Sequence, residues 1–357
     1  MTTPSPILVA LPLGQETDDI LAAATELGLR LERPILVVHA LDGRRLEGEQ
    51  AQLERIATAK ERVDRRLAPL REAGLKTRIE AAVERPADLV IETAQRACPG
   101  LIVTGGGRPA TVRRWLVGSV AEAVVYRATV PVWVARGAPP VGQPVVCPVD
   151  LSPQSRLGLK SAIRMARAFG SPLRVMTVVP PPHEQARDAV RDHDLARDRL
   201  EKLLAERHLE GLDVSVVVVG GSPAEEIVDA TGDAGLLVVG SRGFDPLIPE
   251  WLGPVTSRAL RSGQCNTLTV REVDVDLRRR EHAIAGLAYE YQTAKELLDE
   301  DRAAEAFPIL ESIAERAPAN ATIQEAYARA LDRLDRGVEA RGRREIAAII
   351  RRRIGAA

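Results

Sequence analysis

Residues 238–256 read VVGSRGFDPLIPEWLGPVT, and the chemistry such a stretch can support is the binding of an anion. Two valines run into Gly240, Gly243 follows after two residues, and Gly253 follows after nine more. Glycines let a backbone approach a phosphate closely and turn N–H groups inward, and a helix opening near Pro254 would add the positive potential of its N-terminus. Either this loop holds a phosphate, or Gly240 and Gly243 supply positive φ at a strand-to-helix turn and Gly253 allows close helix packing. It is no P-loop, since no GK[ST] follows, and it lacks the GxGxxG spacing of dinucleotide folds. A second group belongs to the same half of the chain. Asp150 and Ser152 follow the apolar run Val145–Val149, and a carboxylate there can accept a hydrogen bond from a ribose hydroxyl or an adenine amine.

Other reactive residue types fall into poorer patterns. Cys98, Cys147 and Cys265 lie far apart with no CxxC pair, which argues against a zinc site or a disulfide scaffold and fits a reducing cytoplasm. His183 and His193 stand among acidic residues at a spacing that suits no common metal pattern, so they read as a solvated helix face. His39 ends an apolar run and reads as a satisfied core or rim histidine. Ser119 and Ser152 have no recognisable His–Asp partners, and Asp245 and Glu250 neighbour the loop in sequence alone. Trp115 and Trp251, beside the glycines, are explained by packing, and the Arg351–Arg353 run by the end of a helix. No catalytic residue and no metal ligand is assigned.

These residues need a scaffold, and the chain supplies one twice. PADLVIETAQRACPGLIVTGGG (86–107) lies against PAEEIVDATGDAGLLVVGSRG (223–243), and ILVALPLG (7–14) against VVCPVDLS (145–152). Gly105 then falls on Gly240 and Gly118 on Gly253, so the unit repeats at about 135 residues. VARGAPPVGQP, around 134–144, reads as the linker.

Within each copy, short β-branched runs alternate with long amphipathic stretches. Strands are expected at Ile7–Leu11, Ile35–His39, Arg78–Val83, Leu101–Thr104 and Val130–Val134, then at Val145–Val149, Leu173–Val179, Val214–Val219, Leu236–Val239 and Thr267–Val270. Helical periodicity fills segments such as 46–74 and 184–209, and Ser222–Pro223–Ala224–Glu225 reads as a capping box with proline at the first helical position. The alternation predicts an α/β fold of two tandem doubly wound parallel-sheet, Rossmann-like domains, with ligands bound beyond the carboxyl ends of the strands where the strand order reverses.

After Val275 the composition changes. Residues 281–354 hold no strand-like run, and helical periodicity continues through 281–298, 302–317 and 321–334, with a break at Pro318–Ala319–Asn320. The reading is an all-α tail of about four helices. The domains expected are 1–140, 141–275 and 276–357.

The order V-D-x-S after a first strand, then strand–G-x2-G-x9-G–helix, resembles the universal stress protein family over residues about 5–137 and 143–272. The resemblance implies ATP binding through the aspartate, the backbone at the end of the second strand and the glycine loop. Carried onto this chain, the cofactor-binding set is Asp150, Ser152, Val178, Gly240, Arg242, Gly243, Gly253, Val255 and Thr256, with magnesium or manganese bridging the phosphates. Pro254 stands where the family has a Ser/Thr, and it offers neither a hydroxyl nor an N–H. In the first copy Pro12 replaces the aspartate and Arg108 the second glycine, while Gly118–Ser119 is intact. Nucleotide is therefore expected in the second copy. The resemblance also implies that the last strands, Val130–Val134 and Thr267–Val270, bring the two sheets together as an internal pseudo-dimer, as family members commonly do between chains. In the tail, Ala294, Leu297, Ala306, Leu310 and Pro318 resemble a degenerate tetratricopeptide repeat that has Glu290 where a bulky residue belongs.

The function expected is a stress-response or regulatory binding module rather than an enzyme. The alternatives are a nucleotide-free scaffold working through the tail and a slow ATP hydrolase. Net charge of −1 and 3% aromatics do not suggest a nucleic-acid partner or an anionic membrane surface. The start MTTPSP lacks a leader pattern, and the run Ile7–Leu13 is too short to span a bilayer, so a cytoplasmic location is expected. A lone helical pair cannot bury its apolar face, so the tail is expected to meet a protein partner or a second copy in a homo-oligomer.

Overall fold

Parallel strands buried on both faces need apolar side chains in both directions, and the short Val/Ile/Leu runs meet that demand. They become β1 (Ile7–Ala10), β2 (Ile35–Leu41), β3 (Thr77–Val83), β4 (Leu101–Gly105) and β5 (Val132–Ala135), then β6 (Val145–Pro148), β7 (Leu173–Val179), β8 (Val214–Gly220), β9 (Leu236–Gly240) and β10 (Asn266–Val270). Between them run α1 (Thr17–Leu31), α2 (Glu49–Arg66), α3 (Ala68–Glu72), α4 (Pro86–Ala97), α5 (Val120–Arg127), α6 (Pro153–Phe169), α7 (Ala189–Ala205), α8 (Pro223–Asp229) and α9 (Pro254–Ser262). The computed structural model describes residues 4–41, 49–106, 120–179, 189–240, 254–271, 290–318 and 320–354. The chain divides into two compact units, Met1–Ala94 with Pro99–Val273, and Gln95–Cys98 with Asp274–Ala357.

In the larger unit the two copies share one 10-stranded sheet, ordered β3-β2-β1-β4-β5-β10-β9-β6-β7-β8. Within each copy the pairing is parallel; β5 and β10 pair antiparallel, with Trp133 opposite Leu268. The copies thus join edge to edge, as one hydrogen-bonded ladder rather than two stacked sheets. This covers both β5 and β10 and leaves β3 and β8 as the edges. On one face, α1, α2, α6 and α7 bury a single core that crosses the seam through Ile20, Leu27, Val63, Trp133, Leu159, Phe169, Leu203 and Leu268. On the other face, Ile227 of α8 and Ala259 of α9 pack on Val146, Leu237 and Val239.

The seam is tied by residues at matching places in the repeat. Arg136, just past β5, donates to the carbonyls of Ala259 (3.3 Å) and Leu260 in the last turn of α9. Arg271, its equivalent past β10, donates to the carbonyl of Tyr126 in the last turn of α5. Each copy's final arginine thus places a cation at the negative end of the other copy's last helix. Asn266 adds a buried junction: its Oδ1 accepts from the Arg136 N–H (3.0 Å), and its Nδ2 donates to the carbonyls of Ala138 (2.7 Å) and Gly235 (3.0 Å). Asn266→Ala leaves those backbone groups without partners, and we expect a loss of about 2 kcal/mol in urea unfolding. A change under about 0.5 kcal/mol would show that the junction carries no weight.

Several local expectations need amending. The stretch 46–74 is not one helix: α2 and α3 are separated at Leu67, and Pro69 in the first turn of α3 has no N–H to offer a preceding carbonyl. Ser222 does stand at the N-cap of α8 with Pro223 after it, but its side chain makes no capping bond; its carbonyl takes the Glu225 and Glu226 N–H groups instead. The linker around 134–144 is pinned, since Ser171 Oγ donates to Pro140 and the Gly235 N–H to Pro144.

In the smaller unit, α10 (described over 290–299), α11 (Ala303–Arg316), α12 (Ala321–Arg333) and α13 (Gly337–Ile354) share a core of Ala294, Leu298, Ala306, Leu310, Ile313, Tyr327 and Leu331. Asn320 starts α12 by accepting from the Thr322 and Ile323 N–H groups, which is why the chain turns there. Among the described residues no helix is long and apolar enough to cross a membrane.

Candidate functional site

The strand order reverses twice, between β1 and β4 and between β6 and β9, and each reversal opens a crevice at the carboxyl ends of the strands. In the second copy the register decides who meets there. Val146 pairs with Leu237 and Pro148 with Met176, so counting along the parallel strands sets Asp150 level with Val178 and one residue beyond Gly240. Residues drawn from three distant stretches therefore share one rim. Gly243, Arg242 and Gly253 lie outside the described residues, as do Trp251, Asp245 and Glu250, and in the first copy Arg108, Trp115, Gly118 and Ser119. His183 is outside them too.

The turn that presents Asp150 is strained in a definite way. Leu151 has φ of 65°, a left-handed conformation that a γ-branched residue seldom takes. It allows the Asp150 carboxylate to accept from the Ser152 N–H at 3.0 Å, and leaves Ser152 as the N-cap of α6, where its Oγ accepts from the Ser155 N–H at 3.2 Å. Ser155 Oγ donates to the Ser152 carbonyl at 3.0 Å. Partial burial raises the Asp150 carboxyl, but hydrogen bonds from Ser152 and Ser155 outweigh it and hold the group below the ordinary carboxylate range. The carboxylate is ionised at neutral pH and is an acceptor.

On the opposite side of the crevice, Thr256 ties α9 to the end of β9. Its hydroxyl donates to the Gly240 carbonyl at 2.8 Å, and the residue is buried. That proton is committed, so Thr256 positions the start of the loop and the helix end together. Val255 packs with Val178, Ile227 and Val239 beneath the rim. Sequence spacing placed Thr256 near the loop but carried no sign of its partner.

The first copy differs at each point. Pro12 has no carboxylate, and Thr17 instead closes the β1–α1 turn by donating to the carbonyls of Pro12 (2.6 Å) and Gly14 (2.7 Å). His39 is buried with Nδ1 2.8 Å from the Leu11 carbonyl; because a carbonyl only accepts, Nδ1 carries the proton, and the residue is a satisfied rim histidine as read from sequence. Glu16 reaches across the crevice so that a Cβ on Gly105 would overlap its carboxylate, and Arg136 lies over Gly106, whose carbonyl it takes at 3.2 Å. Neither residue was singled out from the sequence, although the match of Arg136 with Arg271 is visible once the copies are aligned.

Remaining reactive groups are quiet. Burial pushes the Cys147 thiol up to about 12 and the Cys265 thiol up to about 11, so neither is a thiolate at neutral pH. Among the described residues no group of three or more His, Cys, Asp or Glu side chains could hold a metal.

Residues 4–136 and 142–271 each match the Universal stress protein family. A universal stress protein of Mycobacterium tuberculosis (strain ATCC 25618 / H37Rv) is 28% identical over 239 residues, which cover 63% of this chain and 77% of that one. In fold, the chain is similar to a universal stress protein from Archaeoglobus fulgidus DSM 4304, with a TM-score of 0.59 and 18% identity over 76% of this chain and 98% of that one. It is similar also to a Pseudomonas aeruginosa UCBPP-PA14 protein, with a TM-score of 0.59 and 17% identity over 79% of this chain and 98% of that one.

Proposed function

The chain belongs to the universal stress protein family, and from that premise we propose that it is a regulatory binding module whose second copy holds one adenine nucleotide, ATP or a close relative, between Asp150 and Gly240. The observation that carries this reading is the rim of the second copy. An ionised carboxylate follows a strand at a reversal of strand order, on a strained turn that the strand register sets level with the end of β7 and one residue beyond Gly240. Asp150 would take a hydrogen bond from the ribose or the adenine amine. Ser152 and Leu151 hold it in place, the Val178 backbone would line the base, and the loop from Gly240 through Arg242 and Gly243 to Gly253 would meet the phosphates. Val255 and Thr256 fix the start of α9 behind them. Magnesium or manganese arriving with the phosphates would neutralise part of their charge.

The domains we assign are 1–140 and 141–275 for the two α/β copies and 276–357 for the tail. The reading is binding without rapid hydrolysis. The tail, with its tetratricopeptide-like pattern, is assigned to contact with a protein partner or a second copy, and the output to a stress response.

Equilibrium dialysis with labelled ATP and magnesium tests the reading. We expect one equivalent per chain, and either none at millimolar nucleotide or two per chain overturns it. The state of Asp150 gives a second check, with adenosine as the probe so that phosphate ionisation does not intervene. A carboxyl whose pKa is depressed stays charged until the pH falls through that lowered value, so adenosine affinity is expected to change less than about twofold between about pH 7 and pH 5. Loss of affinity with a midpoint near pH 6 would show a raised carboxyl and contradict the role given to Asp150.

A further inference from the structure

The crevice of the first copy is not simply a decayed version of the second; its own side chain is placed in it. Gly105 ends β4 as Gly240 ends β9, and a residue without a side chain leaves the backbone at the strand end open to close approach. Glu16, the N-cap residue of α1, directs its side chain there instead of capping the helix: it makes no side-chain cap bond, and a Cβ on Gly105 would overlap Oε2 and crowd Cδ (3.0 Å) and Cβ (3.1 Å) of Glu16. Beside it, the Arg136 guanidinium lies over Gly106, with its Nη atoms spent on the carbonyls of Gly106, Ala259 and Leu260 and its Nε buried without a hydrogen-bond partner. Burial holds the Arg136 guanidinium below its ordinary pKa, and the charge of Glu16 partly offsets that effect. In the second copy the residue at the place of Glu16 is Gln154, which carries no charge.

We propose that Glu16 is the residue that keeps phosphate groups out of the first copy: its carboxylate occupies the anion position over Gly105, next to Arg136, as an internal stand-in for a ligand. The exclusion is electrostatic as much as steric. An approaching phosphate meets a fixed negative charge, and the cation that would have welcomed it already faces one. The amide analogue has nearly the same shape without the charge, as the second copy has at Gln154. This inference concerns the first copy alone and does not rest on nucleotide binding by the second.

Hydrogen exchange with mass-spectrometric readout on the full chain tests it, with inorganic pyrophosphate as the probe. Three chains are compared: the parent, Glu16→Gln, and Glu16→Asp, which keeps the charge. In Glu16→Gln, millimolar pyrophosphate is expected to slow exchange about tenfold in peptides covering residues 11–20, and to leave the parent and Glu16→Asp unchanged there. Equal protection in all three chains, or none in Glu16→Gln while its exchange without pyrophosphate matches the parent, would overturn the proposal. If Glu16→Gln exchanges faster than the parent without ligand, the same comparison in Glu16→Ala serves, and absence of protection there too counts against it. Because the readout is confined to residues 11–20, a second copy that failed to bind nucleotide would leave this result standing, and the reverse.

Discussion

Asp150→Ala is expected to weaken ATP binding about 30- to 100-fold in a calorimetric titration while leaving the fold almost unchanged. A hydrogen bond to a charged group contributes about 2–3 kcal/mol when one partner is removed, and about 1.4 kcal/mol is a factor of ten in affinity. The structural cost is smaller for a specific reason. The carboxylate accepts from the Ser152 N–H, but Ser152 still caps α6 through the Ser155 N–H, so the helix keeps its start. A fall of no more than about 3 °C in the thermal midpoint is expected. Asp150→Asn, which keeps an acceptor without charge, is expected to fall between the two. Unchanged affinity in Asp150→Ala would remove the carboxylate from the site, and a large drop in midpoint would make it a folding residue instead.

Trp133→Ala is expected to destabilise the larger unit by about 3–5 kcal/mol, with a fall of about 10 °C in the midpoint. Trp133 is fully buried in β5, opposite Leu268 of β10, with its ring 5.9 Å from that of Phe169 in α6. It therefore fills the core where the two copies meet, and its loss empties space shared by both. Its Nε1 has no hydrogen-bond partner, so Trp133→Phe gives up volume but no hydrogen bond and is expected to cost far less. Both variants are expected to lose the two copies in one transition, because the sheet and the core pass through the seam without interruption. Two separate transitions in Trp133→Ala would show that the copies fold as independent bodies.

How much of this was legible beforehand differs between the scaffold and the site. The alternation of short β-branched runs with amphipathic stretches located the strands within a residue or two, because parallel strands buried on both faces leave a dense apolar signature. The internal repeat then indicated which strands were last in each copy, and the family resemblance implied that these would meet. What it could not give was the antiparallel ladder between β5 and β10, since strand pairing across a pseudo-twofold depends on edges that look alike in sequence. At the site, Asp150, Gly240 and the strand end at Val178 could be named from spacing and family resemblance, and counting along the register of β6 sets Asp150 level with Val178 and one residue beyond Gly240.

The missed features are those written in conformation rather than in residue type. Nothing in the letters Asp150–Leu151–Ser152 announces a left-handed leucine, and a threonine two residues after Pro254 does not say that its hydroxyl is spent on Gly240. Glu16 was invisible for a related reason: a glutamate before a helix is usually a solvated first-turn charge, and only the path of its side chain over Gly105 makes it more. Arg136 and Arg271 are different. Their equivalence was available in the aligned copies, but an arginine after a strand carries no mark of the helix end it will meet in the other copy.

The central claim is that adenine nucleotide sits in the second copy and not in the first. Photolabelling the full chain with 8-azido-ATP, followed by peptide mapping, tests it most directly. The expected result is saturable labelling, displaced by ATP, confined to peptides that flank Asp150, Val178 and Gly240. Label in peptides around Pro12 and Gly105 or in the tail, or labelling that ATP does not displace, would contradict it.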